Sequence, residues 1–305
     1  MSKLIRNGFM IVVLGGATAS AEDGCLKSIE ISRNGQAFEP QKFSLHEKRR
    51  SPAVFYRDSK IIVAGGCKNK GEHLNSMEII DKNNVNTIKP NVFEDGFSCS
   101  AFCVDKNNNG LVFGGFNLTG CLNSTYKLFK DNVEKGTNLS TDLKNATAVT
   151  TNDNIVYIIG GWDGKRTLDT VFTYKEDKLQ YESRLPYSVE GHTSTYHNDF
   201  IVNIGGFDGI SVISTISIYK VKTRKTEMLE TKLQIARENH STVIFEQAGT
   251  TIILVMGGWD GQQALKHCEA FKVTSESPYL TSIEWRHNLN EARNRPAAIV
   301  IPVQL

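Results

Sequence analysis

Short runs of branched apolar residues recur along the chain, and each ends in two glycines. The runs are "GFMIVVLGG", "SKIIVAGG", "NGLVFGG", "DNIVYIIGG", "NDFIVNIGG" and "TIILVMGG". The glycine pairs fall at 15–16, 65–66, 114–115, 160–161, 205–206 and 257–258, with spacings of 50, 49, 46, 45 and 52 residues. A period near 50 residues marks a repeat architecture. No segment sustains a 3.6-residue apolar period, so the pattern predicts strands and turns rather than helices.

Four strands can be read in each repeat. Ahead of the apolar run lies a strand rich in Ser, Ala and Thr, as in "SPAVFYRDS", "SCSAFCVD", "ATAVTTND", "HTSTYHND" and "HSTVIFEQ". Small side chains of this kind suit strands crowded around a narrow axis. After the glycines comes a polar loop, closed in three copies by Asp163-Gly164, Asp208-Gly209 and Asp260-Gly261. Asp and Gly tolerate the conformations that a tight connection needs. An alternating strand follows, led by Leu26, Leu74, Leu122, Leu168, Ile213 or Leu265. Alternation of apolar and polar positions argues a half-buried strand. The fourth strand is the least distinct: "QYESRL", "KTEMLE" and "SIEWRHNL". Four antiparallel strands per unit, repeated radially, predict an all-β fold, a six-bladed β-propeller.

The first repeat lacks its small-residue strand. The segment "RNRPAAIVIPV", Arg293 to Val303, resembles the start of a unit but has no glycine pair after it. Residues 296–303 are therefore expected to add the innermost strand to blade one and close the ring, which removes an open sheet edge. The opening "MSKLIRNGFMIVVLGGATASA" also has the pattern of a secretory signal. Cleavage there would delete an element present in every other repeat, so the stretch is read as a strand. On this reading residues 1–305 form one propeller domain.

The ordered glycine pairs, the apolar runs before them and the aromatics Tyr174, Tyr219 and Phe271 further on resemble the kelch-repeat β-propellers (kelch-like proteins). Phe129 lies near that aromatic position in blade three, and the Trp typical of the unit stands out only as Trp285. The resemblance covers nearly the whole chain and implies a non-enzymatic module that binds protein partners. Some such proteins are ubiquitin-ligase substrate adaptors, others actin-cytoskeleton scaffolds, and many carry an additional BTB domain, which is not expected within this chain. A monomeric cytoplasmic propeller is expected. The rival class is a small-molecule enzyme on the same scaffold, of the sugar-acid epimerase type, which needs Arg, Glu and His to converge at the axis.

Composition narrows this little. The apolar fraction is 40% and the formal charge +2, which gives no footprint for nucleic acid or a polybasic membrane anchor. No run reaches the roughly 18 apolar residues of a membrane span. Cys25, Cys67, Cys99, Cys103, Cys121 and Cys268 form no CxxC pair and read as thiols in a reducing compartment, with Cys99 and Cys103 on one face of a strand. There is no HExxH, Walker loop or GxSxG. No catalytic residue, cofactor or metal is expected. His192 and His240 occupy comparable points of blades five and six and are read as donors between strands. Asn117, Asn123, Asn138, Asn145 and Asn239 begin Asn-Xaa-Ser/Thr sequences. In a cytoplasmic protein none would be glycosylated.

Rigid scaffolds display function on loops. The resemblance implies that two loop sets meet on one propeller face. One follows the glycine pairs and carries Ala17, Cys67, Phe116, Trp162, Phe207 and Trp259. The other opens each innermost strand, and a fixed count back from the glycines places Arg50, Asn145, Glu190 and Asn294 there, with Ser98 in blade three. Glu238 joins them by the likeness of "AREN" to "KRRS". Arg49, Arg293 and Arg295 lie close in sequence. The predicted partner-binding face is thus Phe116, Trp162, Phe207, Trp259, Arg50, Asn145, Glu190, Glu238 and Asn294. Kelch adaptors that bind acidic loops present several arginines here. With Glu190 and Glu238 in those places, a mixed-charge or apolar peptide fits better.

Overall fold

The computed structural model describes residues 8–19, 24–130 and 132–303. Six four-stranded antiparallel sheets are arranged as a propeller, and among the described residues a single turn of 3-10 helix, Asn69–Gly71, interrupts the strands and loops. In blades two to six the strands follow one another in chain order across the sheet. Blade one is completed by the chain end: Ala297–Pro302 pairs antiparallel with Phe9–Leu14, in register from Phe9 against Pro302 to Leu14 against Ala297. The opening apolar stretch is therefore the second strand of its blade, flanked by Ala297–Pro302 and Ile29–Arg33.

The second strands are apolar on both sides because each blade packs against two neighbours. Every residue of Phe200–Ile204 is buried. The core divides into six apolar clusters, one per seam. Val149, Tyr157 and Ile159 of blade four meet Ile201 and Tyr219 of blade five in one of them. At the closing seam Phe9, Ile11 and Val13 meet Phe245, Leu254 and Met256 of blade six.

The glycine pairs stand where successive blades touch. Gly160 has φ +59°, and a Cβ there would lie 2.2 Å from the Val189 carbonyl oxygen of the next blade. Gly161, at φ +97°, would press on the Lys144 oxygen of its own blade at 2.8 Å. Any side chain here would need both an unfavourable conformation and a displaced backbone. In blade three the strand does not stop at its glycines: Gly110–Asn117 runs through them and returns as Gly120–Phe129 after the turn at Leu118-Thr119.

Three further features depart from the sequence reading. The last strand of blade six is Leu280–Ile283, so Trp285 lies beyond it, its Nε1 donating to the His287 carbonyl at 2.8 Å. The buried position matching Tyr174, Tyr219 and Phe271 is Leu128 in blade three, one residue before Phe129. Cys99 precedes its strand, in a left-handed conformation at φ 57°, so it does not share a strand face with Cys103. All six cysteines are free thiols.

Arg49 and Arg293 are not surface groups. Both are fully buried, as is Arg237, and each makes the same contacts. Arg293 Nη2 lies 3.0 Å from Glu30, and its Nη1 donates to the Gly15 carbonyl at 2.6 Å. Arg49 pairs with Glu78 at 2.6 Å and with the Gly65 carbonyl. Arg237 pairs with Glu269 at 2.6 Å and with the Gly257 carbonyl. Each arginine accepts a backbone hydrogen bond from one blade (Gly258 N to Arg293 O, Gly16 N to Arg49 O, Gly206 N to Arg237 O) while its side chain anchors in the next. These clasps hold the seams between blades six and one, one and two, and five and six. Blades three, four and five have Phe97, Leu143 and Val189 at the arginine position.

His192 and His240 tie inner strands of adjacent blades, their Nε2 atoms 3.1 Å from Thr147 Oγ1 and 2.9 Å from Thr193 Oγ1. Burial pushes His192 down to about 3 and His240 well below its ordinary value. The folded state thus favours the neutral ring, and its stability is fully present above the unfolded pKa of about 6.5 and lost as pH falls towards the folded values. Between pH 6.5 and 5 each ring should remove roughly 1.5 kcal/mol. Urea unfolding of His192→Gln should show a shallower acid loss than the parent over that window; an unchanged slope would refute the assignment.

Candidate functional site

The innermost strands all start at one end of the axis, and the residues two places ahead of them lock together. Ser51, Cys99, Asn145, Gly191, Asn239 and Arg295 each have a left-handed φ between 50° and 62°. Each N–H donates to the carbonyl of its counterpart in the preceding blade: Ser51 to Arg295, Cys99 to Ser51, Asn145 to Cys99, Gly191 to Asn145, Asn239 to Gly191 and Arg295 to Asn239. The circuit is closed and fixes the mouth of the axis. Below it is a cavity of about 240 Å³ lined in part by Thr147, Thr193, Ser194, Ser241 and Thr242. Arg295 reaches over the mouth from blade one, Nη1 donating to Cys99 Sγ at 3.0 Å and to Asn145 Oδ1 at 3.3 Å. Burial alone would raise the Cys99 thiol, but the Arg295 guanidinium and the Ser51 and Ser98 hydroxyls outweigh it and hold the thiol below its usual range.

The two predicted loop sets do meet. Backbone bridges join Asn294 to Ala17, Arg50 to Cys67, Ser98 to Phe116, Lys144 to Trp162, Glu190 to Phe207 and Glu238 to Trp259. In blade four the bridging residue is Lys144, so Asn145 is one step further in, within the ring around the axis. Phe116, Trp162, Phe207 and Trp259 are all half-buried, on consecutive blades of one face. Asn294 is buried, and Arg50, Glu190 and Glu238 are half-exposed.

Several contributors to this face escaped the sequence reading. The Lys144 ammonium lies 4.8 Å from the Phe116 ring centre and 4.4 Å from that of Trp162, filling the space between them. His73 meets Phe116 edge-on, with its Nδ1 3.1 Å from Ser98 Oγ. Thr167 and Asn145 donate to the two oxygens of Glu190 at 3.1 and 2.8 Å. Leu118 and Ile210, at the loop tips of blades three and five, are 86% and 89% exposed. The tips themselves are rigid where Asp-Gly closes them: Asp163 Oδ1 accepts from the backbone of Lys165 and Arg166, and Asp208 and Asp260 do the same in blades five and six. The signal for Leu118 and Ile210 was present in the sequence as lone apolar residues within polar loops.

Among the described residues no group of three or more His, Cys, Asp or Glu side chains is placed to hold a metal ion.

The kelch motif matches residues 145–181, which run from the axial ring through the third strand of blade four into its fourth. A 59-residue stretch is 39% identical to Kelch-like protein 40 of Xenopus tropicalis, covering 18% of this chain and 10% of that protein. A 107-residue stretch is 29% identical to spermatocyte protein spe-26 of Caenorhabditis elegans, covering 32% of this chain and 19% of the relative.

Proposed function

The chain is a kelch-repeat β-propeller, and from that premise we propose that it is a non-enzymatic interaction module holding a peptide or loop of a protein partner on the face where its two loop sets meet. One observation carries this reading. Four large aromatics on consecutive blades stand half-exposed on a platform locked by a closed circuit of backbone hydrogen bonds. Aromatic anchors with a charged rim are the usual composition of binding hot spots, and a rigid platform reduces the ordering cost of association.

Within this reading the chain recruits its partner as a substrate adaptor of a ubiquitin ligase or as a scaffold of the actin cytoskeleton, in the cytoplasm. The name of one relative, a kelch-like protein, suits such a module.

Hydrogen exchange on the propeller, with and without a partner recovered by affinity purification, tests the location. Protection should appear in residues 116–121, 162–167, 207–212 and 259–264. Protection confined to the turns at the other end of the axis, at 105–109, 151–155 and 197–200, would refute it.

A further inference from the structure

The face carries its own example of how it holds a cation. In blades three to six the residue just ahead of the axial ring is bridged through its backbone to the aromatic that follows the glycines of its own blade. In blade four this residue is Lys144, and its ammonium occupies the space between Phe116 and Trp162. Cations are drawn to aromatic faces by the negative ring quadrupole. In blades five and six the same position is Glu190, bridged to Phe207, and Glu238, bridged to Trp259. The charge is reversed while the aromatics remain.

Neither carboxylate has an ion-pair partner within 4 Å among the described residues. Glu190 is held by neutral donors, Asn145 and Thr167. Glu238 leans over the neighbouring blade: its Oε2 lies 3.3 Å from where a Cβ on Gly191 would sit, so the missing side chain leaves it room beside the mouth. The cations nearest to it, Arg295 and Lys144, are engaged with Cys99 and Asn145 and with the Phe116–Trp162 pair. Burial is the main cause that raises the Glu238 pKa; Arg295 opposes it, Glu190 adds to it, and Asn239 and Lys144 take a little away, so the net direction is upward. A half-buried carboxylate left in this state gains most from an incoming positive charge.

We infer that the partner segment presents a lysine or arginine side chain to Glu190 and Glu238, between Phe207 and Trp259, so that the face reads a basic residue set among apolar ones. The inference rests on the proposed docking face and adds the chemistry of its occupant. The occupant is a protein segment because Trp162, Ile210 and Trp259, on blades four to six, offer apolar anchors on the blades of the acidic pair and the one before them, which a small cation would leave unused.

The test is a phage-displayed library of random 12-residue peptides, panned against the intact propeller, with the enriched peptides then measured against four variants. Peptides carrying Lys or Arg beside an apolar residue should be enriched. Glu238→Gln should weaken them at least about tenfold, Glu238→Lys should abolish them, and raised salt should mimic the loss. Trp162→Ala and Trp259→Ala should also weaken them, with all four variants retaining the parent circular dichroism. Peptides that need both tryptophans but carry no basic residue, or that bind Glu238→Gln as well as the parent, would overturn this inference and leave the docking face standing. Peptides indifferent to all four substitutions, or no enrichment above bare resin, would overturn both.

Discussion

Arg293→Ala should destabilise the propeller by about 3–5 kcal/mol, the usual cost of removing one member of a buried ion pair. The side chain is fully buried and its partner, Glu30, is 1% exposed. Truncation leaves the carboxylate without its cation and takes a donor from the Gly15 and Ser28 carbonyls, which accept from Arg293 at 2.6 and 3.2 Å; the Ser28 carbonyl keeps the Gly15 amide, and the Gly15 carbonyl loses its donor. It also strikes the seam that joins the chain end to its beginning. Glu30 continues to accept from the Asn290 and Glu291 amides, so a charge stays trapped in the seam. Adding Glu30→Gln to an Arg293→Met background should recover at least about 1 kcal/mol relative to Arg293→Met alone, because the neutral amide keeps an oxygen for the Asn290 and Glu291 amides and removes the trapped charge. Blades three to five already use Phe97, Leu143 and Val189 at the arginine position. Urea unfolding of the single and double variants measures both terms. A single-variant loss below about 1 kcal/mol would show that the clasp adds little to closure.

The repeat was legible because the glycine pairs are a backbone requirement. Gly160 meets the next blade's carbonyl at a distance no Cβ allows, so the geometry recurs as a sequence signature wherever two blades touch. Ring closure could be read for a related reason: a strand starting with small residues and lacking its glycine pair has no blade of its own. Register was less legible. A fixed count back from the glycines finds Arg50 and Glu190 correctly but lands on Asn145 instead of Lys144. The turn between the first two strands of blade four spans Thr151 to Ile155, with Thr151 N bonded to Ile155 O, whereas blades two and five turn through Asp58-Ser59 and Asn198-Asp199. One additional turn residue moves the whole inner strand by one place.

The buried arginines were hidden by the ordinary expectation that arginine is exposed. Their signal lies in the partner position. Glu30, Glu78 and Glu269 stand four residues after the strand-leading leucine in blades one, two and six, whose side-chain clasps come from Arg293, Arg49 and Arg237. Tyr126, Phe172 and Ser217 replace the glutamate where the arginine is missing. The role of Lys144 could not be read at all, because it depends on two rings brought together from different blades.

The account centres on the aromatic face, and the variant that tests it most directly is Trp162→Ala with Trp259→Ala. Both rings are half-buried on loops outside the strands, so their removal should lower the melting temperature by only a few degrees. Each is placed as an anchor worth about 2 kcal/mol or more of binding, and together they should weaken a partner at least about a hundredfold. Isothermal titration of the partner recovered by affinity purification into parent and double variant should show that loss, with the variant still folded. Equal affinity for the folded variant and the parent would contradict the assignment of this face as the docking surface.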